Sequence, residues 1–236
     1  MDVARRCWSL IALLLSCGYA AAQGSATVGV VSDYDSAAIS LSASKPALQA
    51  GAEYELDNGL AVGTWASTVD LGDRARYELD FSLSYGRSWS ESAEWVAGLE
   101  RYTWPHSSVL GSYSEVYVSL NVKSFSLTQR YAESYTGSRQ AAWYTDLSLM
   151  LYSSRYIFVT ARAGYSYGRY WSEDGEGLGS LLDYSISVDR RHGAVDVGIK
   201  FVGTNAHSDQ KITTAVFNNT PRLILSLSLS FPHSRD

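Results

Sequence analysis

Apolar and polar side chains alternate along residues 222–231 almost without interruption. Leu223, Leu225, Leu227, Leu229 and Phe231 fall on one face; Ile224, Ser226, Ser228 and Ser230 fall on the other. A repeat of two is the signature of a β-strand and excludes a helix. The same repeat recurs upstream. Residues 47–56 set Leu48, Ala50, Ala52, Tyr54 and Leu56 against Gln49, Gly51, Glu53 and Glu55, and Asp57-Asn58-Gly59 is a tight hairpin signal. Residues 75–85 set Tyr77, Leu79, Phe81, Leu83 and Tyr85 against Arg76, Glu78, Asp80, Ser82 and Ser84. Residues 113–122, 140–151, 156–170, 181–189 and 194–202 repeat the pattern, with Glu115, Asp146, Arg162, Asp183, Asp196 and Lys200 on their polar faces. Residues 27–34, 60–69 and 125–132 also read as strands, the last carrying Arg130. Residues 94–104 read as a strand whose outward face the pattern does not assign.

These segments make about twelve strands, most near the ten or so residues that cross a bilayer obliquely. Connections after odd-numbered strands are mostly long and those after even-numbered ones mostly short. Two depart from this: a short turn at Gly72-Asp73 and a longer stretch at residues 86–93. Outer-membrane barrels show such an asymmetry, with short periplasmic turns and long external loops, and an even count puts both termini in the periplasm. Trp104, Trp143 and Trp171 fall near one set of strand ends and Trp89 and Trp95 near the other, as interface aromatics do.

An alternating strand suits an aqueous sandwich with leucines inward, or a membrane barrel with leucines toward lipid and serines toward a wet interior. The N-terminus favours the barrel. Arg5 and Arg6 precede an apolar run at residues 8–15 and the small-residue stretch Ala20-Ala21-Ala22, the layout of a secretory signal peptide cleaved before Gln23. Leu14-Leu15-Ser16-Cys17 also resembles a lipobox, which would make Cys17 a lipidated first residue. The expected organisation is a signal peptide at residues 1–22 and one barrel at residues 23–236. No later apolar run is long enough to span as a helix, so a membrane crossing requires a closed sheet, whose edges are all paired. The expected fold is therefore all-β: a transmembrane antiparallel up-and-down β-barrel of about twelve strands. Its setting is the outer membrane of a Gram-negative bacterium. Arg222–Phe231 ends in an aromatic and resembles the segment read by the barrel assembly machinery.

Composition agrees. The 236 residues include 17 Tyr and 7 Trp but only 4 Pro. Both cysteines, Cys7 and Cys17, precede Gln23, which leaves no disulfide framework, cysteine metal site or thiol chemistry after cleavage. The formal charge is −5, and about −6 without residues 1–22. No basic cluster points to nucleic acid.

A family resemblance follows from a series of short motifs. Ser32-Asp33-Tyr34, Ile39-Ser40, Pro46-Ala47-Leu48-Gln49 with Gly51, Gly63-Thr64-Trp65-Ala66-Ser67 with Val69-Asp70, Glu78-Leu79-Asp80, Tyr102-Thr103-Trp104-Pro105 and Glu115-Val116-Tyr117 occur in this order. Together they resemble the TorF family of porins, most densely over residues 32–120. The resemblance implies an outer-membrane pore and supplies no substrate. Where that family has an Arg-Gly pair and a Gln in its first loop, this chain has Ala37, Ala38 and Leu41, and residues 232–236 extend beyond the terminal Phe.

The candidate chemistry lies on the polar faces. Glu53, Glu55, Glu78, Asp80, Glu115, Asp146, Asp183 and Asp196 outnumber Arg76, Arg130, Arg162 and Lys200, as expected of the lining of a narrow, weakly cation-selective channel for small solutes or ions. The alternative is a barrel without conductance that acts as an adhesin or envelope scaffold. An enzyme is a weaker reading: His106, His192, His207 and His233 fall in loops, turns or the tail, and only His207-Ser208-Asp209 has triad-like residue types. Glu173, Asp174 and Glu176 sit on a Gly-rich loop without the spacing of a Ca²⁺-binding loop. No cofactor or metal is expected.

Overall fold

In the computed structural model the described residues are 23–172, 178–206 and 219–231. The expected signal peptide with Cys17, the acidic run Glu173-Asp174-Glu176, the triplet His207-Ser208-Asp209 and the tail with His233 lie outside them. The strands are β1 (Gln23–Val31), β2 (Asp35–Ser36), β3 (Ile39–Ser40), β4 (Ala47–Glu55), β5 (Leu60–Thr68), β6 (Tyr77–Ser90), β7 (Ala93–Thr103), β8 (Tyr113–Val122), β9 (Phe125–Ala132), β10 (Ala142–Ser153), β11 (Ile157–Tyr167), β12 (Leu181–His192), β13 (Val195–Thr204) and β14 (Arg222–Phe231). Among the described residues, β2 and β3 form a separate two-residue ribbon, and the other twelve strands close into an antiparallel barrel in chain order. Closure is made by β1, which pairs with β4 on one side and with β14 on the other, from Ala26↔Phe231 to Val31↔Ser226.

The alternation read in the sequence sorts side chains between two environments. Leu223 is 66 % exposed and its neighbour Ile224 only 3 %, so the leucines of β14 face outward. Phe81, Leu83, Val116, Val118, Leu147, Leu149, Ile186, Val188, Val197 and Ile199 extend this apolar surface around the barrel. In water so much exposed apolar area would drive association; in hydrocarbon it is the solvated face.

The connections separate cleanly. At one end are the turns at residues 56–59, 91–92, 123–124, 154–156 and 193–194; at the other are loops at 32–46, 69–76, 104–112 and 133–141 and the connections from β11 to β12 and from β13 to β14. The two departures expected from the sequence vanish. β6 runs on to Ser90, so residues 86–93 are mostly strand with a two-residue turn. The Gly72-Asp73 turn belongs to an eight-residue loop, because β6 begins only at Tyr77. Arg76 is consequently not on the barrel wall: it is exposed in that loop, its Nη1 donating to the Asp73 and Ala75 carbonyls at 3.2 and 3.3 Å.

The tryptophans also part company with the pattern. Trp143 stacks on the outer surface with Tyr131 and Tyr167, at ring-centroid distances of 4.5 and 6.4 Å. Trp95 packs edge-on against Tyr85 near the short-turn end. Trp104 and Trp171, by contrast, are buried inside the barrel mouth. Trp104 continues the inward parity of Tyr102 past the end of β7, and Trp171 is folded in by a 3₁₀ turn (Arg169–Trp171).

Asp73 clamps two loops at the long-loop rim. Its Oδ1 accepts from the Ala75 amide at 2.8 Å, and its Oδ2 accepts from the Ser107 hydroxyl at 2.8 Å and the Ser108 amide at 2.6 Å. Partial burial raises its pKa, but these hydrogen bonds outweigh it and hold the carboxyl at about 2. A depressed pKa gives stability that is present above the free carboxyl value of about 3.9 and lost as pH falls through about 2. The Ser108 and Val109 amide shifts should therefore titrate near pH 2 in an NMR titration of the refolded barrel, and Asp73→Ala should remove that titration.

The face assignment predicts a sharp contrast between neighbours on β6. Leu83→Arg places a charge in lipid and should cost about 2–4 kcal/mol, whereas Ser84→Arg faces the interior and should cost little. Denaturant titration of the heat-modifiable gel-shift species in detergent measures both; equal losses would invert the assignment.

Candidate functional site

The interior is built from the polar parity of each strand, with register bringing separate segments level. Pairing of Asp80 with Tyr102 and of Ser82 with Glu100 fixes the face of β7: Glu94, Val96, Gly98, Glu100 and Tyr102 point inward, and Trp95, Leu99 and Arg101 outward. The sequence pattern missed Glu100 because outward Arg101 and inward Val96 break the apolar–polar contrast.

Of the expected lining residues, Glu78, Asp80, Glu115 and Arg130 gather on β6, β8 and β9. Arg130 Nη1 lies 2.9 Å from Glu100 and 3.5 Å from Glu115, and its guanidinium sits 5.0 Å from the Tyr117 ring centroid. A second group forms on β10–β12: Arg162 is 2.7 Å from Asp146 and 3.2 Å from Asp183. Arg162 also donates to the Tyr144 hydroxyl oxygen, and the Tyr144 hydroxyl in turn donates to Asp183 Oδ2 at 3.1 Å. Gly164 makes room for this knot, since a Cβ there would collide with both Tyr144 Oη and Asp183 Oδ2. The remaining expected residues stand apart. Asp196 pairs with Arg191 at 2.7 Å near the short-turn end. Glu53 and Glu55 line the lower part of β4, and Lys200 on β13 turns toward the first loop.

That loop, residues 32–46, folds into the barrel. Asp33 is its hub: the Ser40 and Ser42 hydroxyls donate to its Oδ1 at 2.5 and 2.9 Å, and Arg222 of β14 donates to its Oδ2. Asp35 pairs with Lys200 at 2.5 Å. The β2–β3 ribbon turns at Ala37 and Ala38, both at positive φ (48° and 60°), where L-residues pay roughly 1–2 kcal/mol each. Packing offsets this: Ala38 is buried against Val202 and Ile224, and Ile39 and Leu41 reach the aromatic clusters of the mouth. Two of the positions at which the sequence departs from the TorF pattern, Ala38 and Leu41, thus help to seat the loop.

Beneath the loop is a cavity of about 440 Å³. Its walls combine Tyr34, Tyr102, Trp104, Tyr113, Tyr135, Tyr170 and Trp171 with Glu78, Glu115, Arg130, Arg162 and Lys200. The rings stack on one another, with Tyr102–Tyr113 at 4.9 Å and Tyr135–Tyr170 at 4.8 Å. A further cavity of about 290 Å³ lies toward the short-turn end, lined by Glu53, Thr64, Trp65, Asp80, Ser82 and Glu100. Ser25 and Thr27 also line it; on β8 and β9 the Ser119 and Thr128 hydroxyls are 2.8 Å apart.

Cutting the loop's main tether should expose it. Arg222→Ala leaves Asp33 buried without its cation, a change that typically costs about 3–5 kcal/mol. Chymotrypsin should then cleave after Tyr34 or Leu41 faster than in the wild type while the gel shift shows the barrel still closed; unchanged cleavage would show that Asp35–Lys200 and apolar packing hold the loop alone.

Comparison with known proteins follows from this geometry. A family model described as "Bacterial protein of unknown function (Gcw_chp)" matches residues 18–231. A search of the curated proteins found no match. Among solved structures, the chain is similar to the NanC porin, with a TM-score of 0.59 and 11% identity, covering 89% of this chain and 99% of that one. It is similar to the KdgM porin with a TM-score of 0.57 and 7% identity, covering 88% and 99%. A KdgM porin in complex with disordered oligogalacturonate matches with a TM-score of 0.55 and 6% identity, covering 89% and 99%. At these identities the likeness is one of fold. It agrees with the porin-like barrel that the TorF resemblance implied and does not carry the TorF name.

Proposed function

The chain belongs to the Gcw_chp family of bacterial proteins of unknown function, and we propose that it serves as an outer-membrane channel for small solutes, narrow and weakly cation-selective. The observation that carries this reading is, among the described residues, a closed twelve-stranded barrel with an apolar outer face and a charged interior that holds cavities at two heights. The fold shared with NanC and KdgM porins supports it. On this reading residues 1–22 direct export, residues 23–236 make up the barrel domain, both termini and the short turns face the periplasm, and Arg222–Phe231 is the segment offered to the assembly machinery. A channel is favoured over an enzyme because the two histidines among the described residues, His106 and His192, sit at opposite ends of the barrel.

Selectivity depends on which charges remain uncompensated. Arg130, Arg162, Lys200 and Arg222 are each held by carboxylates. Glu53 and Asp80 face the lower cavity and make no ion pair among the described residues. A fixed negative potential in a narrow lumen concentrates cations and excludes anions. The bound ligand of the KdgM complex is a polyanion; this interior disfavours such a solute.

Planar-bilayer recording of the purified barrel tests the reading. Small single-channel steps are expected, with a reversal potential of cationic sign that weakens as salt rises and the Debye length falls below about 10 Å. Glu53→Gln with Asp80→Asn should move that potential toward zero. Absence of steps would favour a surface-contact role through the long loops, and anion preference would remove the lumen-charge account.

A further inference from the structure

We propose that the cavity beneath the first loop binds a small organic ammonium ion, seated against Glu78. This deepens the channel reading by naming a class of solute, and rests on it only for the route by which the ion arrives.

The interior bases are already committed to Glu100, Glu115, Asp146, Asp183, Asp35 and Asp33. Glu78 is different. It is only 2 % exposed and lies on the wall of the upper cavity; the Tyr34 hydroxyl, the Trp104 indole and the Asp80 carboxyl are its polar neighbours, and its Oε2 makes no well-formed hydrogen bond with any of them. No cation pairs with it among the described residues. Asp80, two residues on and on the same face, is 4 % exposed with Oδ1 also unpartnered. Two adjoining buried carboxyls with open oxygens are costly to ionise, and they settle either by holding a proton between them or by meeting a cation.

The surroundings choose the cation. Tyr34, Tyr102, Trp104 and Tyr113 share the cavity with Glu78, and Tyr34 and Trp104 lie beside its carboxyl. Aromatic faces attract alkylammonium groups through their quadrupoles, and such attraction strengthens where water is excluded. A hard metal ion wants six or more oxygens, and the described residues bring no such cluster together. At about 440 Å³ the cavity falls within the range of small-molecule sites. An anion would meet Glu78 with no free base to answer it.

The test uses the whole folded barrel in detergent micelles, with tryptophan fluorescence read during titration with choline chloride. Its uncharged isostere, 3,3-dimethylbutan-1-ol, is the control for shape and apolar contact, and potassium chloride the control for ionic strength. Choline should quench saturably, and the isostere should bind about tenfold or more weakly. Glu78→Gln should erase that preference while the heat-dependent gel shift shows a folded barrel. Should that variant fail to fold, the ratio of choline to isostere in the wild type, and its reduction in Asp80→Asn, decide the matter. Equal binding of the two probes, or no saturable quench, would overturn the proposal. Bilayer recordings separate the two readings: steps without choline binding leave the channel and remove the site, whereas choline binding without steps supports the site and removes the channel.

Discussion

Hydrocarbon offers no partner to a backbone N–H or C=O, and that single deficit governs this molecule. A sheet in lipid cannot keep an open edge. The pairing of β1 with β14 is therefore the contact on which the rest depends, since it joins the two ends of an otherwise open twelve-stranded sheet. Once the ring is sealed, each strand has one face in lipid and one in the lumen, and the period of two becomes a sorting rule. Leu227 and Ser228 are neighbours in sequence and face different solvents. Up-and-down connection then gathers alternate links at one end, where two- to four-residue turns suffice, and frees the other end for loops that can fold inward.

The lumen solves a second problem. Guanidinium and ammonium groups inside a narrow barrel need counter-charges at fixed height, and register supplies them on adjacent strands: Glu100 and Glu115 for Arg130, Asp146 and Asp183 for Arg162. β13 and β14 bring Lys200 and Arg222 to a stretch of wall where the acid partners come instead from the first loop, as Asp35 and Asp33. The loop is thus bound by charges the wall leaves uncompensated. This accounts for the tolerance of strained alanines at its tip: two charge pairs and the buried methyl of Ala38 outweigh the backbone cost.

Fold class was legible because alternation is a direct readout of a two-solvent environment. Strand number, the outward leucines of β14 and the inward parity of Glu78, Asp80, Glu115, Asp146 and Asp183 all follow from it. What stayed hidden depends on register or on departure from the strand. Glu100 could not be placed until Ser82 was set opposite it. Trp104 and Trp171 have the right height for an interface belt, but their orientation is set by packing with Tyr113, Tyr135 and Tyr170. Arg76 keeps the parity of Glu78 yet lies before the strand begins. The inward fold of the first loop rests on contacts nearly 190 residues apart in sequence, such as Asp33 with Arg222, which no local pattern encodes.

The excess of acid over base in the sequence is therefore a poor guide to the field in the lumen. Charges that pair across adjacent strands cancel at short range, and a passing ion several ångströms away meets mainly their residual dipoles. What it meets in full are carboxylates left without a cation. These are not scattered: Glu78 borders the upper cavity, Asp80 and Glu53 border the lower one, and Glu78 and Asp80 share one face of β6. These carboxyls lie along one side of the barrel, and Tyr34 and Trp104 stand beside the upper one. On the proposed channel reading, a cation passing along that side would exchange water for carboxylate oxygens and aromatic faces, an exchange that costs an alkylammonium ion less than a small metal ion.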